Sequence, residues 1–237
     1  MLLESFVQRD GAAFSFSRSQ ASRFAKDVAS DFNPIHDEDS KRFCVPGDLL
    51  FAYLLHRYGL SAQLQVQFTG MVNADVWLHC VESEQHVQIQ DQQGKVYLTM
   101  QRQGEQSRHC AFIEALARDY VRFSGQNFPH ILQPLMQQHQ VMIHPQRPLV
   151  IYESMSLTVH DFNAGAPQLV LRDSQLTVDG KRGSVVLNFD LMHEQQLVGH
   201  GEKRMILSNL VPYDALQMQG LVDVYNARKA QLGSPVA

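Results

Sequence analysis

The chain has little of what marks several large protein classes. Its 237 residues include three cysteines: Cys44, Cys80 and Cys110. The count is odd and no two form a CxxC pair, which argues against a disulfide framework and a structural zinc site. Reduced thiols among apolar neighbours are expected, not a cysteine nucleophile. Charge is sparse: 19% of residues, with a net charge of −4. There is no excess of cations to neutralise phosphates, so no nucleic-acid partner is expected. No stretch nears the roughly 18 consecutive apolar residues that span a bilayer, so no membrane partner is expected either. The opening MLLESFVQRD carries Glu4 inside its apolar run and lacks a basic leader, so it does not read as a signal peptide. The expected location is cytoplasmic. Neither a phosphate-cradling loop ending in Gly-Lys-Ser/Thr nor a GxSxG elbow occurs. His139, His144 and His160 are scattered without metal spacing, so no metal is expected.

What is present is globular. Hydrophobic residues make up 44% of the chain, enough for one large domain or two small ones. Ser17 and Gln20 have the form of a capping box. Ala21, Phe24, Ala25 and Val28 then mark one helical face, with Ser22, Arg23, Lys26 and Asp27 on the other. Pro46-Gly47-Asp48 precedes a second helix, Leu49 to Tyr58, with Asp48 as a possible cap and Gly59 as its stop. This helix is apolar nearly all round until His56 and Arg57, so something must wrap it.

Alternating strands follow: Gln63 to Phe68, Asp75 to Glu82, His86 to Gln90 and Lys95 to Gln101. Period-two patterning with turn punctuation predicts an antiparallel sheet with one wet face. The pattern restarts near Gln103-Gly104-Glu105. A helix is expected over Arg108 to Arg122 and a shorter one over Pro129 to Gln140. Four further strands run over Val150 to Thr158, Leu169 to Val178, Ser184 to Met192 and Leu197 to Leu207, with Asp179-Gly180 a hairpin turn. Gly199 to Lys203 reads as a bend, Trp77 and Tyr97 as sheet packing, and the tail from Gly233 as loose. The order helix, break, short helix, strand meander thus occurs twice, which divides the chain at 1–104 and 105–237. Setting two such sheets side by side removes one exposed edge from each.

Chemistry concentrates at Asp31-Phe32-Asn33-Pro34-Ile35-His36. Asn33 before Pro34 is a natural cap followed by a first helical position. That geometry turns Asp31 and His36 toward one space, where a carboxylate and an imidazole can hold and deprotonate a water. The same residues also fit a plain turn.

Phe24-Ala25 followed by Ala29-Ser30-Asp31-Phe32-Asn33-Pro34-Ile35-His36 resembles the signature of MaoC-like, (R)-specific enoyl-CoA hydratases of the hot-dog superfamily. Phe68-Thr69-Gly70-Met71-Val72-Asn73-Ala74-Asp75 is similar to the family's later strand-turn motif, matching at Val72 and Asp75. The likeness covers about the first 100 residues, and the second half shares only the element order. It implies an α+β double hot-dog, with antiparallel sheets wrapped round two short buried helices.

The resemblance further implies hydration or dehydration of a trans-2-enoyl thioester carried on CoA or an acyl-carrier protein. Asp31 and His36 would be the acid-base pair and Asn33 the support of their loop. Gly47 and Asp48 would bind substrate, with a backbone N–H there polarising the thioester oxygen. No cofactor is implied beyond the CoA or phosphopantetheine of the substrate. The partner would be an acyl-thioester small molecule, and the chain a monomer or homodimer. Three departures stand out. Ser30 replaces a glycine. Val45-Pro46-Gly47-Asp48-Leu49 replaces the usual aliphatic-Ala-His-Gly. Ser124-Gly125-Gln126-Asn127-Phe128-Pro129-His130 is a worn second copy without the acid. Two alternatives follow: an acyl-thioester hydrolase using Asp48, and a non-catalytic acyl-thioester binding or structural protein. Arg102, Arg108, Lys181, Arg182, Lys203 and Arg204 are candidate cations for a CoA phosphate.

Overall fold

The computed structural model describes residues 3–232. Strands β1 (Gln8–Asp10) and β2 (Ala13–Ser15) form a small hairpin ahead of helix α1 (Arg18–Arg23). Ser17 caps α1, and the capping box with Gln20 forms as expected. The helix then widens into a π turn over Phe24–Val28. That widening rotates the faces, so Lys26 is buried instead of solvated and meets Asp37 at 3.0 Å.

Helix α2 (Gly47–Tyr58) follows, with Leu49, Leu50, Phe51, Leu54 and Leu55 all buried. Each such side chain contributes about 1.5–3 kcal/mol of burial. Gly59 ends α2 at φ +80°, where a Cβ would lie 2.6 Å from the Ser107 carbonyl oxygen. Strands β3 (Leu60–Phe68), β4 (Leu78–Glu82), β5 (His86–Asp91) and β6 (Val96–Ser107) wrap the helix. The expected restart at 103–105 is absent: β6 continues through Gly104, whose φ of +80° accompanies a bulge against β3. Tyr97 is buried, its hydroxyl donating to Asp91, whereas Trp77 precedes β4 and is partly exposed.

Helices α3 (Cys110–Gly125), α4 (Asn127–His130) and α5 (Leu132–Gln138) lead to the short strand β7 (Val141–Met142). The second meander is β8 (Leu149–Val159), β9 (Gln168–Asp179), β10 (Arg182–His193) and β11 (Gln196–Ser208). Strand β12 (Val211–Pro212) pairs with β7. Helix α6 (Ala215–Leu232) closes the described chain. Its composition lacks a clear apolar stripe, so sequence periodicity gave no sign of it. The tail from Gly233 lies outside the described residues.

Among the described residues one ten-stranded sheet runs in the order β1-β2-β4-β5-β6-β3-β8-β11-β10-β9. All its pairings are antiparallel, and β3 with β8 joins the two meanders, Leu64 opposite Leu157. The first core gathers α2 and one face of α3 against β3 to β6. The second gathers Leu132, Leu135 and Met136 of α5 against Leu176, Val185, Leu187 and Leu207. This is an α+β double hot-dog: a curled antiparallel sheet wrapping buried helices, in two copies merged edge to edge.

The expected bend at Gly199 to Lys203 is instead paired strand, β11 holding one register with β10 from Gly199 to Lys203 after a bulge at Val198. Its glycines serve close approach. A Cβ at Gly201 would lie 2.3 Å from the Phe189 ring, and one at Gly199 would lie 2.5 Å from the Thr158 carbonyl oxygen. The three cysteines are free: Cys44 is buried, with burial pushing its thiol up to about 11, Cys80 is half-buried, and Cys110 is exposed against expectation. Among the described residues no helix is long and apolar enough to cross a membrane.

Candidate active site

The loop after the π turn is held by its own polar atoms. Ser30 takes φ +53°, the left-handed region that favours glycine. The turn lets the Asp31 amide reach the Ala25 carbonyl at 2.7 Å. Asp31 Oδ1 accepts from the Asn33 amide at 2.8 Å, and Asn33 Oδ1 accepts from the Ile35 amide at 3.2 Å. Asn33 therefore caps a 3-10 turn, Pro34–His36, that Pro34 opens.

These restraints bring Asp31 and His36 together. His36 Nδ1 lies 2.7 Å from the Cys44 carbonyl oxygen. A carbonyl only accepts, so Nδ1 carries a proton and Nε2 is the nitrogen left to face Asp31. That nitrogen lies 3.4 Å from Asp31 Oδ2. The side chains are 12% and 19% exposed, so the pair is enclosed yet reachable. A water at ordinary hydrogen-bond length, roughly 2.8 Å, can touch both groups from one side.

Asp31, His36, Gly47 and Asp48 share one cavity of about 380 Å³ with Phe68, Tyr152, Ser124, Lys203 and Met205. That size suits a small molecule. Apolar walls come from both halves, among them Leu50, Leu132, Ile143 and Val150. Gly47 opens α2 in close quarters: a Cβ would lie 2.9 Å from the Phe68 ring and 3.3 Å from that of Tyr152, so these rings would have to shift for a larger residue. Leu49 is the first amide of α2 to bond back, to Pro46 at 3.0 Å. The Gly47 and Asp48 amides precede it, at the end of a helix where the helix supplies no partner.

Asp48 is not the cap. Pro46 occupies that position, and the Asp48 side chain makes no capping bond. It turns inward instead, where the Ser124 hydroxyl donates to Oδ2 and itself accepts from Lys203 Nζ. Lys203 lies 4.2 Å from the centre of the Tyr152 ring, and the Tyr152 hydroxyl bonds that of Tyr120. Burial pushes the Asp48 carboxyl up and the Lys203 ammonium down, and their mutual attraction opposes both shifts.

Lys203 is therefore no surface cation for a CoA phosphate. Three of the other candidates are paired: Arg102 with Glu82, Arg182 with Glu153 and Arg204 with Glu202. Helix α6 lies over the loop. Tyr225 stacks edge-on against Phe32 and Phe128, and Arg228 pairs with Asp37.

The family model described as "Protein of unknown function (DUF3581)" matches residues 1–216. The chain belongs to the DUF3581 family. No curated protein matches the sequence. Among solved structures, the DUF3581 chain is similar to an acyl-CoA thioesterase II, TesB2, from Mycobacterium marinum. Identity is 9% and the TM-score 0.47, over 90% of this chain and 100% of that one. It is similar to a conserved protein of unknown function with hot dog fold from Alicyclobacillus acidocaldarius (11% identity, TM-score 0.49, 90% and 99% coverage). It is also similar to the dehydratase domain of the polyketide PpsC from Mycobacterium tuberculosis (9%, 0.39, 87% and 97%). At these identities and scores, any reading of the DUF3581 site rests on its own geometry.

The sequence offers Lys203 as a cation for a CoA phosphate and Ser124 as part of a second motif, with no sign that the two meet Asp48. Alternation along β11 held a signal for the lysine: Gly199, Gly201, Lys203, Met205 and Leu207 are all buried. Tyr225 and Arg228 of α6 left no comparable trace.

Proposed function

We propose that this protein adds water to trans-2-enoyl thioesters, or removes it from the 3-hydroxy products, as a MaoC-like hydratase. The observation that carries the reading is the approach of His36 Nε2 to Asp31 Oδ2, 3.4 Å, at an apolar cavity beside the start of α2. A water bound to both groups attacks C3 of the enoyl thioester. Its proton passes to the Asp31–His36 pair, and the pair returns a proton to C2, so the sum is addition of H2O. Charge develops on the thioester oxygen as an enolate. The amides of Gly47 and Asp48 are the donors available to it, reinforced by the positive end of the helix dipole. The acyl chain lies among Leu132, Ile143 and Val150, where its burial supplies binding energy.

A second reading has one observation in its favour. Asp48 puts a buried carboxylate on α2 with Oδ1 lacking a hydrogen-bond partner. A carboxylate so placed can serve as base for water attacking the thioester carbonyl, releasing the thiol.

One set of assays separates these. Purified protein is given crotonyl-CoA and longer trans-2-enoyl-CoAs, and loss of the conjugated-thioester absorbance is followed. Saturated acyl-CoAs are run beside them with a thiol reagent. Absorbance loss that Asp31→Asn and His36→Ala abolish supports hydration. Thiol release lost in Asp48→Asn supports hydrolysis. Neither activity, with a raised Tm on adding acyl-CoA, overturns both and leaves a binding protein.

A further inference from the structure

We propose that Lys203 is a positioning residue of the site, reaching across from the second half to cancel the charge of Asp48 so that an enolate can form at the start of α2. The proposal rests on the hydration reading above.

Asp48 is 7% exposed and stands one residue inside α2, beside the amides offered to the thioester oxygen. A bare carboxylate in that low-dielectric position repels a developing enolate and offsets the helix dipole. The countercharge linked to it by hydrogen bonds is a lysine. Lys203, 3% exposed, donates to the Ser124 hydroxyl, which donates to Asp48 Oδ2. The other carboxylate oxygen is buried without a hydrogen-bond partner, so cancellation runs through this chain alone. A buried ammonium is costly unless it is partnered. β11 could have placed an apolar residue in the inward row that runs Gly201, Lys203, Met205.

The groups facing Asp48 come from four elements: Lys203 on β11, Ser124 and Tyr120 on α3, Tyr152 on β8, and Asp31 with His36 on the signature loop. Among these Lys203 is the basic side chain that stands outside the acid-base pair. Burial already drives the Asp48 carboxyl up, so losing Lys203 drives it further.

The test is crotonyl-CoA hydration at several pH values by wild type, Lys203→Met, Asp48→Asn and the double variant, with Tm measured for each. At pH 8 Lys203→Met is expected to lose about tenfold or more in kcat with KM nearly unchanged, the mark of an interaction made only in the transition state. Acidification should recover its activity, because Asp48 then takes up a proton. The double variant should return to the level of Asp48→Asn alone and lack the new pH limb. A purely packing role for Lys203 predicts neither the limb nor its removal.

Wild type active, with Lys203→Met unchanged or its loss not rescued by Asp48→Asn, overturns the role of Lys203 and leaves the hydration reading intact. A wild type without enoyl-thioester turnover overturns both. Should Lys203→Met fail to fold, Ser124→Ala decides, since it breaks the link while keeping both charges. A lowered kcat with a shifted pH profile supports the proposal, and an unchanged profile overturns it.

Discussion

Two polar segments meet at the cavity and differ in chemistry: the loop after the π turn, and the junction of α3 with α4. Residues 29–36 carry Asp31, Asn33 and His36, and residues 123–130 carry Ser124, Gly125 and Asn127. In the first loop the polar side chains bind their own backbone and leave Asp31 Oδ2 and His36 Nε2 facing each other. In the second they reach outward: Ser124 to Asp48 and Lys203, Asn127 to Met205 Sδ at 3.6 Å. The loops also touch, for Gly125 packs against the Ala29 carbonyl and the Asp31 Cβ. The first segment thus closes on itself around a facing acid and histidine, while the second is spent on contacts with α2 and β11.

Breaking the comparison most severely means exchanging the roles. Asp31→Asn or His36→Ala should lower kcat for enoyl-thioester hydration by about 10²–10⁴-fold, the usual worth of acid-base catalysis. His130→Ala in the second loop should change it by less than about threefold, since it supplies no acid or base under this reading. Equal losses from both loops in steady-state kinetics would end the distinction.

The contact between the loops comes next. A Cβ at Gly125 would sit 2.1 Å from the Ala29 carbonyl oxygen, which is backbone and has little room to yield. Gly125→Ala should therefore cost about 1–3 kcal/mol, read as a lower urea midpoint. Its kcat should fall as well, because Asp31 is displaced. Asn33→Ala removes the cap of the first loop and should cost about 1 kcal/mol by the same measurement. Ser30→Gly relieves a positive φ and should raise stability by up to about 1 kcal/mol without touching the acid-base pair.

A pH dependence centres on Lys26. Burial lowers the Lys26 ammonium from 10.5 to about 8. Between those values the unfolded chain holds the proton more tightly than the folded one. This group's contribution to stability therefore rises as pH climbs from about 8 toward 10.5. The Tm difference between wild type and Lys26→Met should shift in favour of wild type across that window. Cys44 acts the other way, its pressed-up thiol losing stability as pH passes through about 11, but it is common to both proteins and cancels in the difference. A difference flat with pH would place Lys26 in an ordinary solvated setting.

The strands were legible because half-buried sheets write period two into the sequence, as in Gln63 to Phe68. Helix α2 was legible because an all-apolar helix has one kind of place to go. The loop from Asp31 to His36 was legible because the bonds of the Asp31 and Asn33 side chains span only two residues each. Errors fell where a distant contact outweighed a local one. Asp48 forgoes capping for Ser124, and Gly199 and Gly201 avoid neighbouring strands instead of marking a bend. Lys26 turns inward to Asp37.

By itself the sequence determined the repeated order of elements, the faces of the strands, and a loop in which an acid and a histidine converge. These follow from dihedral preferences and short-range hydrogen bonds. Tertiary structure alone decided that β3 joins β8, that α6 lies over the first loop, and that a lysine 155 positions beyond Asp48 meets it through Ser124. Those outcomes depend on which surfaces exclude water together, and no local pattern encodes the far partner of a buried charge.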